Sequence, residues 1–134
     1  MREFILPLLA VILYFAAAVG LTILIETPII IRGRVTDNKA YIRGVNIVTN
    51  VLLNAVRLGL GLLAPTVGTY AAETAGTVWF ILGEAILVPV SEALAYRRIS
   101  DAGTKRIFAF TYLANLVSCA AGLVLEAIIR YYLF

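Results

Sequence analysis

Three observations predict an all-α integral membrane protein, a bundle of four transmembrane helices. Of 134 residues, 62% are hydrophobic and only 14% charged, where soluble domains carry about 25% charged residues. A small globular chain has too little interior to hide that much apolar surface. The apolar residues are gathered into four long runs, each close to or above the ~20 residues that span a bilayer. Finally, the basic residues collect in two short loops between those runs.

The runs cover 4–31, 44–64, 75–96 and 107–133, and together make one transmembrane domain over 1–134. The first contains A-A-A-V-G, a feature of signal peptides. Its Arg2 is offset by Glu3, however, and the uncharged stretch from Phe4 to Ile25 is long for a signal sequence. It reads as a membrane span. Pro28, near the end of this run, reads as a helix terminator. Pro89 lies mid-span in the third run, frees the carbonyl of Ala85, and predicts a kink. Loops 32–43 and 97–106 each carry four basic residues and one acid, whereas 65–74 carries no basic residue. Charge asymmetry of this kind puts both basic loops in the cytoplasm and both termini outside. Tyr41 and Tyr96 on one side, and Tyr70, Tyr131 and Tyr132 on the other, suit interfacial belts.

The halves of the chain resemble each other. Each has an apolar helix ending near a glutamate, a basic loop, and a helix with an early asparagine. Glu26 precedes Asn50 by 24 residues, and Glu92 precedes Asn115 by 23. Two helices per half predict two parallel-repeat helical hairpins. Any four-helix protein gives two such loops, so the repeat rests on these few matches alone.

Function has to be sought in the polar residues inside the spans. Asn46, Asn50, Asn54 and Arg57 are spaced 4, 4 and 3 apart and share one helical face. Lipid cannot satisfy amides or a guanidinium, so this face meets partners. Asn46, nearest the loop, is expected at the interface. If Asn50 and Glu92 lie at the same depth, Arg57 and Glu84 both lie ~10–12 Å further in, which predicts an Arg57–Glu84 ion pair. On the third helix Glu73, Thr77, Glu84 and Ser91 fall on one face with Glu92 to its side. The fourth offers Thr111, Asn115, Ser118, Gly122 and Glu126, and the first mainly Thr22 and Glu26. Ala114, Ser118 and Gly122 form a small-residue seam that favours close helix packing.

Asparagines and hydroxyls alone serve as interhelical glue, but intramembrane carboxylates are costly and glue does not require them. Glu26 and Glu92 with Asn50, Asn54 and Asn115 are therefore read as a cluster opening towards the cytoplasm; the plainer reading of the two acids is interfacial salt bridging to loop arginines. Any metal held by Glu26, Glu92, Asn50 and Asn115 would be a hard cation, since these are oxygen ligands. With no histidine, a lone Cys119 and no glycine-rich phosphate loop, catalysis is poorly supported and no cofactor is implied. The net charge of +3 sits at helix ends, which argues against nucleic acid. The expectation is transport or permeation of an ion or small solute along Glu26, Asn50, Asn54, Arg57, Glu84, Glu92 and Asn115. The alternative is a non-transporting module that binds a partner subunit or lipid head groups through its basic loops. An intramembrane lipid-modifying enzyme is the remote third. Four helices enclose little interior, so a homodimer in the lipid bilayer is expected.

Overall fold

A helix that has to end inside a packed protein must satisfy its last carbonyls, and the first helix shows how this chain does so. In the computed structural model, α1 (Arg2–Arg32) closes in a Schellman motif. Arg34 N–H donates to Ile31 O at 2.9 Å and Val35 N–H to Ile30 O at 3.1 Å, with Arg34 in the left-handed region at φ 52°. Ile30 and Val35, the apolar pair of the motif, are both buried. Glycine is the usual residue at the left-handed position. Here Gly33, one residue earlier, is taken up by a different demand: a Cβ at 33 would fall 2.4 Å from the ring of Phe110. Pro28 does not terminate α1, which runs on to Arg32.

The structure describes residues 2–133, and their side chains except those of 2–8, 10, 11, 14, 126, 129, 130, 132 and 133. After α1 come α2 (Lys39–Leu62), α3 (Ala64–Val67), α4 (Thr69–Leu82), α5 (Val88–Arg97) and α6 (Thr104–Leu133). A π-helical turn, Gly83–Leu87, joins α4 to α5. No strand occurs among the described residues. Four helical stretches, 15–32, 39–62, 69–97 and 104–125, are long and apolar enough to cross a membrane. Three of them, beginning at 39, 69 and 104, start earlier than their apolar runs. Asn38 caps α2 by accepting from Tyr41 N–H at 3.0 Å, which brings Lys39 and Arg43 into the helix.

The four stretches form a ring. α1 packs on α2 and α6, α2 also packs on α4 and α5, and α5 packs on α6. α2 and the third span are locked in register by Trp79, whose indole N–H donates to Leu53 O at 3.0 Å. Gly83 completes the lock, since Leu53 occupies the space that a side chain at 83 would need.

The core lies at one end of the ring, beneath the basic loops. Ile30, Val35, Ile42, Ala93, Tyr96, Ile107 and Ala114 form one buried cluster. The loops themselves are tied together there: Ser100 Oγ donates to Val35 O and accepts from Ala102 N–H. Tyr96 is fully buried in this cluster, a correction to its expected place in an interfacial belt. Its ring lies 6.4 Å from that of Tyr41, and the Tyr41 hydroxyl donates to Ala95 O at 3.1 Å. α4 makes little contact with α6, so the bundle is closed under the basic loops and open at the opposite end.

Candidate functional site

Directly beyond the core lies a polar layer centred on two buried carboxyl groups. Glu92 on α5 is fully buried. Thr49 Oγ1 donates to its Oε1 at 2.7 Å, and Asn115 Nδ2 donates to its Oε2 at 2.8 Å. Both carboxyl oxygens are thus satisfied, one from α2 and one from α6. Glu26 on α1 is 1% exposed. Its Oε1 accepts from Ser118 Oγ at 2.5 Å, while its Oε2 has no hydrogen-bond partner. Asn115 and Ser118 are three residues apart on α6, so a single turn of that helix holds both acids.

The packing explains why Glu92 is inside. Eight residues along an unbroken α-helix would set Glu92 about 80° from Glu84, with Ser91 in line instead. The π turn absorbs one residue, because Val88 N–H reaches back to Gly83 O, and so rotates the chain beyond it by about 100°. Glu92 takes the inner position and Ser91 is exposed. The turn sits immediately before Pro89, which has no N–H to give to Ala85 O and whose ring crowds that carbonyl. The predicted kink therefore takes the form of a π turn. Glu73 and Thr77, expected on the same inner face, are exposed as well.

The asparagine stripe behaves uniformly. Asn46 Nδ2 donates to Ile42 O at 3.0 Å, Asn50 Nδ2 to Asn46 O at 2.9 Å, and Asn54 Nδ2 to Asn50 O at 2.9 Å. A backbone carbonyl only accepts, so each amide nitrogen faces its own helix and each amide oxygen is turned outward. Asn46 is fully buried, which corrects its expected interfacial position. It lies against Glu26 and Tyr96. Its Oδ1 has no hydrogen-bond partner, and neither does the buried Oγ1 of Thr27.

A cavity of about 90 Å³ runs from this layer into the open half of the bundle. Glu26, Asn50, Asn54, Arg57, Glu84, Asn115 and Ser118 line it, drawn from all four spans. It does not open towards the basic loops as expected from the sequence, because the buried cluster around Ile42, Tyr96 and Ile107 fills that end. Gly122 lines the cavity with nothing within 4 Å of a Cβ placed there, so the small-residue seam is not tightly packed at that level. Glu126 lies outside the described side chains.

The expected Arg57–Glu84 ion pair does not form among the described residues. Both side chains line the cavity, but the Arg57 guanidinium stands over the Phe80 ring, 4.9 Å from its centroid. Equal depth on two helices fixes a level and not an azimuth, and a phenyl face one turn from Glu84 offers the cation an apolar partner. A second, mainly apolar cavity of about 710 Å³ adjoins the first between α4–α5 and α6, and it shares Arg57, Phe80, Glu84 and Asn115 with it.

Of the expected site residues, Glu26, Asn50, Asn54, Arg57, Glu84 and Asn115 thus share one cavity, and Glu92 sits behind them, bonded to Asn115. Of the quartet suggested for a hard cation, Glu26, Asn50 and Asn115 line the cavity, while Glu92 does not and accepts one hydrogen bond at each oxygen. The described residues contain no group of three or more histidine, cysteine or acidic side chains placed to hold a metal ion. Thr49, Ser118 and Tyr96 belong to the layer although the polar pattern gave them little weight. Hydroxyls are too common in helices to stand out in a sequence, and Tyr96 read as an interfacial residue. No protein-family model, curated protein or solved structure matches this chain.

Proposed function

We propose that this protein moves an ion or small solute across the membrane, along the cavity lined by Glu26, Asn50, Asn54, Arg57, Glu84 and Asn115. One observation carries the reading: a cavity with acids and amides from all four spans, open at one end and blocked by packed core at the other. Glue would leave paired polar groups and a dry interior. Here the interior holds unpaired carboxyl and amide oxygens beside a route inward. In the topology we propose, the basic loops face the cytoplasm and both termini face outside. The cavity is then outward-facing. Two parallel hairpins, related by the Glu26–Asn50 and Glu92–Asn115 spacings, would rock against each other, as parallel repeats do in other transporters. A homodimer would cover the exposed apolar faces of the open half. The test is flux into proteoliposomes, comparing the wild type with Glu84→Gln and Glu92→Gln. Loss of flux in both supports the path, and unchanged flux in both removes it.

A second reading, binding of anionic lipid head groups, has its own support. All eight basic side chains of the two loops are exposed around one end of the bundle. Co-sedimentation with vesicles would not test an embedded protein; retention of phosphatidylserine through delipidation, compared with a variant with neutralised loops, would.

A further inference from the structure

The larger cavity, about 710 Å³ and mainly apolar, lies on the flank of the bundle between the third span and α6. It follows α6 from Tyr112 to Leu123, roughly 16 Å of helix, and one leaflet of a bilayer has hydrocarbon about 15 Å deep. Its lips are apolar and exposed: Ile81 is 58% exposed on the third span, and Leu113 46% and Leu116 69% on α6. In stretches long and apolar enough to cross a membrane, such residues meet lipid tails. The gap exists because α4 makes little contact with α6. The wall shared with the smaller cavity is of another kind, since it carries Arg57, Glu84 and Asn115.

That wall holds one cation and one acid that do not pair with each other. The stem of Arg57 crosses from α2 to α4, its Cγ 3.9 Å from where a Cβ on Gly76 would stand, and its guanidinium rests over Phe80. Among the described residues its N–H donors meet no acceptor, and the Glu84 carboxyl has no hydrogen-bond or ion-pair partner. A ligand with a single charge would satisfy one of these groups and leave the other bare beside it. We infer that this groove binds a bilayer lipid with a zwitterionic phosphate–ammonium head, its chain along the groove, its phosphate at Arg57 and its ammonium at Glu84. A guanidinium fork matches phosphate oxygens, and a primary ammonium has three donors to give a carboxylate. Such a ligand arrives sideways from the bilayer, so the inference goes beyond the transport reading and does not depend on flux.

The experiment is native mass spectrometry of the purified, delipidated protein in mixed micelles. Phosphatidylethanolamine, phosphatidylglycerol and diacylglycerol with the same chains are offered in equal amounts. Phosphatidylethanolamine is expected to bind about tenfold or more tightly than either competitor. It should also slow the reaction of N-ethylmaleimide with Cys119, which lines the groove and is the chain's only cysteine. Glu84→Gln should turn the preference towards phosphatidylglycerol, which needs only Arg57, and Arg57→Gln should remove it. Neutralising the basic loops should leave it in place. Ala85→Trp keeps both charges but fills the groove, and should abolish binding and protection together. Equal binding of the three lipids to the wild type overturns the inference and marks a non-specific lipid coat. A wild-type preference for phosphatidylglycerol overturns it in favour of an anionic occupant. Where a charge variant fails to fold, the wild-type preference and the Ala85→Trp protein decide.

Discussion

Gly33 and Phe110 touch so closely that the ring occupies the volume of any side chain at position 33: a Cβ there would lie 2.4 Å from two of its ring atoms. This contact joins the end of α1 to the first turns of α6, under the basic loops. A phenyl ring is rigid, so an added methyl must displace it bodily. Gly33→Ala should destabilise the protein by about 1–3 kcal/mol, read as an earlier transition in thermal unfolding in detergent. Adding Phe110→Leu should recover part of the loss, because a smaller and more flexible side chain can step aside.

The Glu92–Asn115 bond tests whether the polar layer is a unit. Asn115→Ala leaves one buried oxygen of Glu92 without a donor and should cost about 1–3 kcal/mol. Replacing both residues with leucine removes the donor and the acceptor together, and should cost less than the single change. Denaturant titration in mixed micelles of the two single variants and the double variant would show this. Additive losses would mean that the residues do not depend on each other.

Arg57 offers a choice between two partners. A cation over an aromatic face is worth about 0.5–1 kcal/mol at an exposed site, so a double-mutant cycle of Arg57→Ala with Phe80→Leu should show coupling of that size. The cycle with Glu84→Gln should show a smaller one. A larger coupling to Glu84 would restore the ion pair that equal depth on the helices suggested.

Closure at the basic-loop end predicts one-sided access. In a Cys119→Ala background, Asn54→Cys should react with a membrane-impermeant maleimide applied from the side of the 63–68 turn and not from the side of the basic loops. Asn46→Cys, fully enclosed, should resist from both. Mass shifts in oriented vesicles would report the outcome.

Much of the fold was legible in the residues, because the bilayer imposes length and composition on each span. The polar layer was legible in its members but not in its pairing. Spacing puts Asn50, Asn54 and Arg57 on one face, but says nothing about the rotation of the neighbouring helix, so depth alone points Arg57 to Glu84 and not to Phe80. The inward position of Glu92 could not be read from periodicity at all, since a π turn breaks the period on which such readings rest. Pro89 was the visible trace of that break. The direction of the cavity is hidden in the sequence for a different reason. Glu26 and Glu92 lie near the loops along the sequence, but Ile30, Tyr96 and Ile107 close over them, and apolar residues in an apolar segment give no sign of which will form the plug.

The π turn also holds one residue more than α-helical pitch would use over the same rise. If Gly83–Leu87 tightened to α-helical pitch with the chain length unchanged, α5 would advance by one residue, a screw step of about 100° and 1.5 Å. Glu92 would swing away from Thr49 and Asn115, and Ser91 would take its place before them. Deleting one residue from the turn would have the opposite effect: the helix would become regular while Glu84 and Glu92 stayed in phase. The segment therefore has one residue of slack, and the same inner face can be presented by two lengths of chain, or two different faces by one.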